Sequence, residues 1–519
     1  MKRFLSVLLC IVILISMSGC GDKKEEETYK PIQGLNADEQ ISLKIATAFE
    51  TDKALDLVIN KFTEKYPNVH IQLEYVEDYD NNALEMMKND TVDIIFQRDV
   101  IYKDTSAEEN TETEEEPWTT EDFFYDFKQD KEIDLSNTTS KLMGNYTHTR
   151  KDASGEEITY QYAIPIGGEV RGLYVNKTFL KSLGLEVPNN WNEFLDCCEK
   201  VKNAGYVPIQ GNAGTAAMAI MLAHSVNDVV HDEDSLEKMR SASNGVSELF
   251  EDSISDMYYL ATNRYYDYKY VEEELGMFKG AQDIAQARDF LGLVRNDATY
   301  EYTAPENNYG TVAFFPYLSY VGSMIEDLID EYKLDTEVEF IATPTSTDGN
   351  NPVYLTPYYG ICANKNSENL DWIREFVNFF FQTDMNKLYA ENAGIIPNTE
   401  DAISYMADKY GVDEETDCAS CGDIYFSNEY NGYTPLAKVL VDVSKCGAQK
   451  YMVPLNKDEN GNIQYLTDEN GKEYVMTEGD KKVYKEFIGE EDSNKPGYAF
   501  CNKEYYMDEL ETAFVKYRE

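Results

Sequence analysis

Residues 164–209 read IPIGGEVRGLYVNKTFLKSLGLEVPNNWNEFLDCCEKVKNAGYVPI, and this run decides the fold. Its start, around Tyr162–Asn176, is rich in β-branched and aromatic residues and reads as extended chain. Lys177 follows, and Phe179–Leu183 is a short helix stopped by Gly184, a residue that tolerates the left-handed cap conformation. Pro188 precedes a second helix, Trp191–Ala204, whose apolar positions recur at helical spacing. Tyr206–Gln210 is again a strand. Strand, helices and strand in succession define an α/β layer.

Working upstream, Ile41–Thr47 alternates apolar and polar residues, Asp52 caps a helix over Lys53–Tyr66, and Pro67-Asn68 ends it. Val69–Tyr75 is a second alternating strand. A short helix around Asn82–Asn89 leads to Val92–Phe96, a buried-type strand. This β-α-β-α-β order implies a parallel sheet, in which ligands sit beyond the carboxyl ends of the strands. Residues 104–122 form an acidic insertion, read as solvated. Asp152-Ala-Ser-Gly155 marks a turn between two short strands.

Working downstream, the small residues Gly211–Thr215 open a helix, and a long helical region is expected from about Ser235 to Gly292. Thr311–Phe315 is a short buried strand, Ser323–Tyr332 a helix, and Val338–Thr343 strand-like. Tyr354–Asn364 is extended. A strongly amphipathic helix follows over Leu370–Gln382, capped by Asn366 or Ser367. In the tail, Asp458-Glu-Asn-Gly461 and Asp468-Glu-Asn-Gly471 are two Asn-Gly turns that predict a short β-meander. A calcium loop is disfavoured there, because glycine falls at the fourth place and not the sixth. Asp508–Arg518 reads as a terminal helix.

Composition bounds the function. The 519 residues carry 96 Asp plus Glu against 46 Lys plus Arg, a formal charge of −50. Such a surface repels phosphate backbones and anionic lipid heads, so nucleic acid is not an expected partner. At the N-terminus, Lys2-Arg3 precede an apolar run from Leu5 to Met17, too short to span a bilayer but suited to a signal peptide. Met17-Ser18-Gly19-Cys20 then resembles a bacterial lipobox, with Cys20 as the lipidated residue. Seven cysteines remain. Cys418-Ala-Ser-Cys421 fits a disulfide or free thiols better than a metal site, since the four histidines are scattered. No metal or other cofactor is expected.

The order of these elements resembles the extracellular solute-binding proteins of carbohydrate ABC transporters. The resemblance runs from about Ile41 to Asn398. Besides the opening quotation it rests on EKYPNVHIQLEY, DIIF, GTVAFFP, YGICANKNSENLDWIREFVNFFF and AGIIPN. It implies a two-lobed, periplasmic-binding-protein-like (type II) α/β fold with a hinge and an interlobe ligand cleft. The chain then divides into a signal peptide (1–19), a flexible tether (20–39), lobe 1 (40–168 and 361–400), lobe 2 (169–360) and a C-terminal segment (401–519) packing on lobe 2, with the meander near 450–485. The implied function is capture of a mono- or oligosaccharide by a lipid-anchored monomer on the extracytoplasmic face of the cell membrane, with delivery to permease subunits.

A sugar offers an apolar face and a rim of hydroxyls, met by aromatic rings and by carboxylates, amides and Arg. Candidates at strand ends and hinge crossings are Phe49, Glu50, Gln97, Arg98, Asp99, Gln210, Asn212, Phe315, Tyr358 and Tyr359, with Tyr433 returning from the tail. The resemblance adds Glu169 as the acidic residue of the first crossing, with Arg171 two residues on. Gln97 stands where some oligosaccharide binders carry a stacking Trp. The competing classes are a secreted carbohydrate-active enzyme and a surface adhesion or scaffold protein. No catalytic residue is assigned: the chain lacks G-x-S-x-G, H-E-x-x-H and P-loop patterns, and carboxylate pairs are expected by chance at this acidity.

Overall fold

The computed structural model describes residues 29–47, 52–76, 79–97, 123–139, 142, 146–151, 157–211, 245, 248, 251–263, 265–267, 279–296, 298–344, 351, 354–402, 405, 419–420, 452–477, 481–492 and 495–518. The acidic insertion lies outside them.

The N-terminal half begins with β1 (Ile41–Thr47), α1 (Lys53–Lys65), β2 (Val69–Tyr75), α2 (Tyr79–Lys88) and β3 (Ile94–Gln97). In β1, Leu43 and Ile45 are buried while Ser42 and Lys44 face water, so the alternation in the sequence becomes the two faces of a strand. The Asp52 carboxylate accepts from Leu55 N at 2.8 Å and caps α1, whose Leu55, Val58, Ile59 and Phe62 are buried. A hairpin of β4 (Thr147–Lys151) and β5 (Glu157–Gln161) precedes β6 (Ile164–Pro165).

The middle contains β7 (Gly167–Asn176), α3 (Lys177–Ser182), α4 (Trp191–Asn203), β8 (Ile209–Gln210), α5 (Glu251–Thr262), β9 (Tyr266–Asp267), α6 (Lys279–Phe290), β10 (Val294–Arg295), β11 (Tyr302–Thr303), β12 (Phe314–Leu318), α7 (Val321–Tyr332), β13 (Val338–Ile341) and β14 (Tyr354–Pro357). Asn176 is fully buried, and its side-chain oxygen accepts from Phe179 N at 2.9 Å to start α3. Asn190 caps α4 in the same way through Glu193 N. Trp191 stacks on Phe194, and Cys197 and Cys198 are buried beneath them. The single helical region expected over 235–292 is not continuous. Helix α5 ends at Thr262, and the chain turns into β9, because Ile209 and Gln210 need a strand partner on that edge.

The chain then returns through β15 (Gly360–Ala363), α8 (Leu370–Phe380), α9 (Thr383–Ala393) and β16 (Ile396–Pro397). Asn369 is the cap residue of α8, two to three positions later than expected, and Ser367 Oγ accepts from Asn369 N to shape the entry. The tail supplies β17 (Ala419–Ser420), β18 (Met452–Pro454), β19 (Leu466–Thr467), β20 (Glu473–Met476), β21 (Lys482–Tyr484), β22 (Ile488–Glu491), β23 (Tyr498–Cys501) and α10 (Lys503–Arg518). Strands β19, β20 and β21 form an antiparallel meander, with Gly471 at positive φ in the Asn-Gly turn between β19 and β20. The Gly461 turn lies before it, closed by a separate bridge between Lys457 and Ile463, and a hydrogen bond from Thr477 N to Lys481 O closes the second meander turn.

Two main sheets result. The sheet of lobe 1 has the order β2-β1-β3-β15-β6, parallel among the first three strands and antiparallel at β15. That of lobe 2 is built on β7. One edge of β7 pairs with β13 and β14, and the other with β12 and β16, all antiparallel. Residues Leu173, Val175 and Phe314 join a buried cluster with α3, α4, Met452, Val453, Phe500, Tyr505 and Tyr506, so tail strands and α10 share a core with β7.

Candidate functional site

Among the described residues three segments join the lobes. Ile166 lies between β6 and β7, Tyr358-Tyr359 between β14 and β15, and Gly394-Ile395 between α9 and β16. The first two run side by side: Tyr358 N donates to Gly167 O and Ile166 N to Tyr359 O, each at 2.8 Å. Two glycines permit this approach. A Cβ at Gly167 would lie 2.5 Å from the Ile396 carbonyl oxygen, and one at Gly360 would lie 2.7 Å from the Tyr146 ring. Buried amides hold the crossings together. Asn386 Nδ2 donates to Ile166 O at 2.8 Å, Asn398 Nδ2 to Pro165 O at 2.6 Å, and Asn398 N to Asn386 Oδ1 at 2.7 Å. The Tyr146 hydroxyl adds a donor, 2.7 Å from Tyr358 O and 3.2 Å from Gln97 O.

Charged and aromatic side chains gather at the same place. Glu169 faces Thr356 across the β7–β14 pair, one residue before Pro357 and two before Tyr358. Only 2% of Glu169 is exposed, and its Oε1 lies 3.7 Å from Arg171 Nη2. Arg171 Nε is buried with no hydrogen-bond partner among the described residues. Arg171 also pairs with Leu318, the last residue of β12, so this ion pair sits at the carboxyl end of that strand. Beyond it, the Asp283 carboxylate accepts from the Tyr317 and Tyr320 hydroxyls, the latter at 2.6 Å, and Gln286 Nε2 donates to Tyr317 at 3.2 Å. The ring of Tyr320 lies 5.7 Å from that of Tyr358, which in turn meets Tyr359 edge-on at 4.9 Å.

The structure therefore brings together Gln97, Glu169, Arg171, Tyr358 and Tyr359 around the crossings. Gln97 is the last residue of β3 and pairs with Gly360. Gln210, half-buried, ends β8 and pairs with Asp267. Phe315 was expected to present its face to a ligand. Its ring instead stacks between Phe290 and Tyr317, at 5.2 and 4.8 Å, and only 1% of the residue is exposed. Every residue of β12 is buried, so Phe315 is core beneath the site. Phe49, Glu50, Arg98, Asp99, Asn212, Tyr433, and also Cys20, Cys418 and Cys421, lie outside the described residues. Among those described, no group of His, Cys, Asp and Glu could hold a metal ion, and no helix is long and apolar enough to cross a membrane.

Sequence reasoning missed Asp283, Tyr320, Asn386 and Asn398 as parts of this junction. Asn398 closes the AGIIPN motif, the one available signal. The other three lie on or beside helices, where nothing in the local pattern shows that they reach a crossing.

Two sheets joined by three strands of chain, with polar and aromatic groups at the joint, define a two-lobed α/β binding fold. The chain belongs to the bacterial extracellular solute-binding protein family, whose sequence profile matches residues 48–387. The "Multiple sugar-binding protein" of Streptococcus mutans is 28% identical over 181 residues, 34% of this chain, which thus spans 37% of that relative's length. Among solved structures, BlMnBP1, a binding protein of an ABC transporter from Bifidobacterium animalis subsp. lactis in complex with mannobiose, superposes with a TM-score of 0.54 at 14% identity. That superposition covers 93% of this chain and 95% of that one. Apo RafE from Streptococcus pneumoniae gives 0.52 at 13% identity, covering 94% and 100%. At these identities the structures share the fold.

Proposed function

We propose that the protein captures a mono- or oligosaccharide in a cleft between its lobes and delivers it to the permease subunits of an ABC transporter. It does so as a monomer held by lipid on Cys20 at the extracytoplasmic face of the cell membrane. Glu169, Arg171, Gln97, Gln210, Tyr358 and Tyr359 line the cleft, joined by Phe49, Glu50, Arg98, Asp99, Asn212 and Tyr433. Lobe 1 comprises about 40–168 and 361–400, from which β16 returns to the sheet of lobe 2, and lobe 2 about 169–360 with the C-terminal segment packed on it.

The carrying observation is the pair Glu169 and Arg171 beside Tyr358. Arg171 Nε is a buried donor without an acceptor among the described residues, and a donor left so costs about 1–3 kcal/mol. A sugar hydroxyl accepts from it and donates to Glu169, while the tyrosine rings cover the apolar sugar face. The sugar relatives support the ligand class. Closure follows because a ligand touching both lobes binds the closed state better than the open one.

Titration of the soluble protein with mono- and oligosaccharides, read by melting point and calorimetry, tests this. One sugar family should stabilise the protein saturably, one to one, without turnover. Glu169→Gln should weaken that sugar at least tenfold. Turnover of the sugar, or unchanged affinity in Glu169→Gln, would overturn the reading.

A further inference from the structure

The sequence places a flexible tether over residues 20–39, yet its second half is built into lobe 1. Glu375, on the inner face of α8, is fully buried and accepts three hydrogen bonds. Two come from the N-terminal segment, the Tyr29 hydroxyl and Ile32 N at 2.8 Å, and the third from the Tyr66 hydroxyl at 2.5 Å. Asn378, one turn along α8, donates to Lys30 O at 3.3 Å, and Gln33 N donates to Glu132 at 3.2 Å. Ile32 is 4% exposed, buried in the same cluster as Leu43, Phe62 and Phe376. The Tyr29 ring meets Phe379 edge-on and carries Lys65 Nζ 3.6 Å above its centre. A buried carboxylate with three donors, and a cation over the ring that supplies one of them, is a built latch.

We infer that residues 29–35 are a strap, latched on Glu375, that makes lobe 1 the fixed jaw and leaves lobe 2 the moving one relative to the membrane. The inference rests on the reading that Cys20 carries the lipid. Eight residues then separate the anchor from Tyr29, nine Cα–Cα steps with a reach of at most about 30 Å. Were residues 20–39 free to Gln40, the leash would be more than twice as long. A short leash ending on α8 sets which body stays near the membrane surface. Lobe 2, joined to lobe 1 among the described residues through the three crossings and the packing beside them, closes against it.

The test uses the full chain, expressed in a host that lipidates and reconstituted in phosphatidylcholine vesicles carrying a headgroup acceptor dye. Donor dyes go at exposed positions 57 (α1, lobe 1) and 259 (α5, lobe 2). Amide exchange of Ile32 and Gln33 is followed in parallel. The strap predicts at least 100-fold protection at both amides, and energy transfer from position 57 higher than in Glu375→Ala. A second variant, Tyr29→Ala with Ile32→Ala, releases the strap while leaving α8 intact and should give the same loss of transfer. Unprotected amides in the wild type overturn the strap. Equal transfer from position 57 in wild type and both variants overturns the short leash. Failure of the wild-type chain to associate with vesicles refutes the lipid anchor and with it the leash, whereas sugar binding and amide protection are read independently of that result.

Discussion

Asn386, on α9 of lobe 1, donates its side-chain amide to the main-chain carbonyl of Ile166, 220 residues earlier, at 2.8 Å. Ile166 is the single residue between the last strand of one sheet and the first strand of the other. The same amide's oxygen accepts from Asn398 N, and Asn398 reaches Pro165 O and Thr139 N. Two crossings of the chain are thereby tied by fully buried amides, which hold the backbone where no regular ladder can continue.

Replacing Asn386 with Ala should therefore cost more than an ordinary polar-to-Ala change. It leaves the Ile166 carbonyl and the Asn398 N–H without their partners in a dry site, at about 1–3 kcal/mol each before relaxation. We expect a loss of about 2–4 kcal/mol in urea unfolding of the ligand-free protein. A loss below 0.5 kcal/mol would show that the amide is dispensable.

Gly167→Ala tests the close approach of the crossings. The added methyl would meet the Ile396 carbonyl oxygen at 2.5 Å and Ile395 Cδ1 at 2.6 Å, so β7 and β16 must separate. Overpacking of this kind costs about 1–3 kcal/mol. Gly461→Ala is the control: its φ is +84° and nothing lies within 4 Å, so only backbone strain of about 1 kcal/mol is expected. Thermal unfolding should rank Gly167→Ala below Gly461→Ala, and addition of the bound sugar should not reverse the order.

Much of this was legible in the sequence because periodicity is local. The alternation in Ile41–Thr47, the helical spacing in Trp191–Asn203 and the two Asn-Gly turns of the tail each depend on neighbours a few residues away. The break between α5 and β9 was not legible, since it depends on the strand Ile209-Gln210 more than fifty residues earlier. Phe315 shows the same limit at a site residue. Its place in a strand could be read, but not which face α6 would cover. Asp283 carries no signal of its own, and its importance lies in meeting Tyr317 and Tyr320 from another helix. The strap, too, looked like polar linker until Glu375 supplied a partner.

Arg374 should prove a structural anchor. Its guanidinium binds Asp130 with two hydrogen bonds, at 2.5 and 2.8 Å, and also reaches Asp371 and Glu132, pinning the segment after the acidic insertion to α8. Burial pushes the Asp130 carboxyl up, but the Arg374 hydrogen bonds, the Glu132 N–H and the Tyr125 hydroxyl together hold it below its ordinary value. Stability from this group is present above the usual Asp range and is lost as pH falls through the lowered value. Arg374→Ala should cost about 2–3 kcal/mol near pH 7, and the difference from wild type should shrink in acid, as read by melting points from pH 7 down to pH 3. A constant difference across that range would mean that Arg374 acts through packing alone.

Asp256 titrates in the opposite sense. It sits on α5 against α4, where burial and then the charge of Asp252 raise its carboxyl to about 7, against a smaller lowering by the Trp191 N–H. The unfolded chain releases this proton near pH 4, whereas the folded one keeps it until about pH 7. Between those values the folded state binds more protons, so its stability declines as pH rises, and above about 7 the full penalty applies. Asn at this position keeps an acceptor for Trp191 and carries no charge. Asp256→Asn should match wild type near pH 4 and exceed it at pH 8 by on the order of 2 kcal/mol, allowing for the solvent that still reaches the group. Melting curves at pH 4, 6 and 8 read this directly. A variant less stable than wild type at pH 8 would show that Asp256 is ionised in the fold and held by a partner that the carboxylate needs.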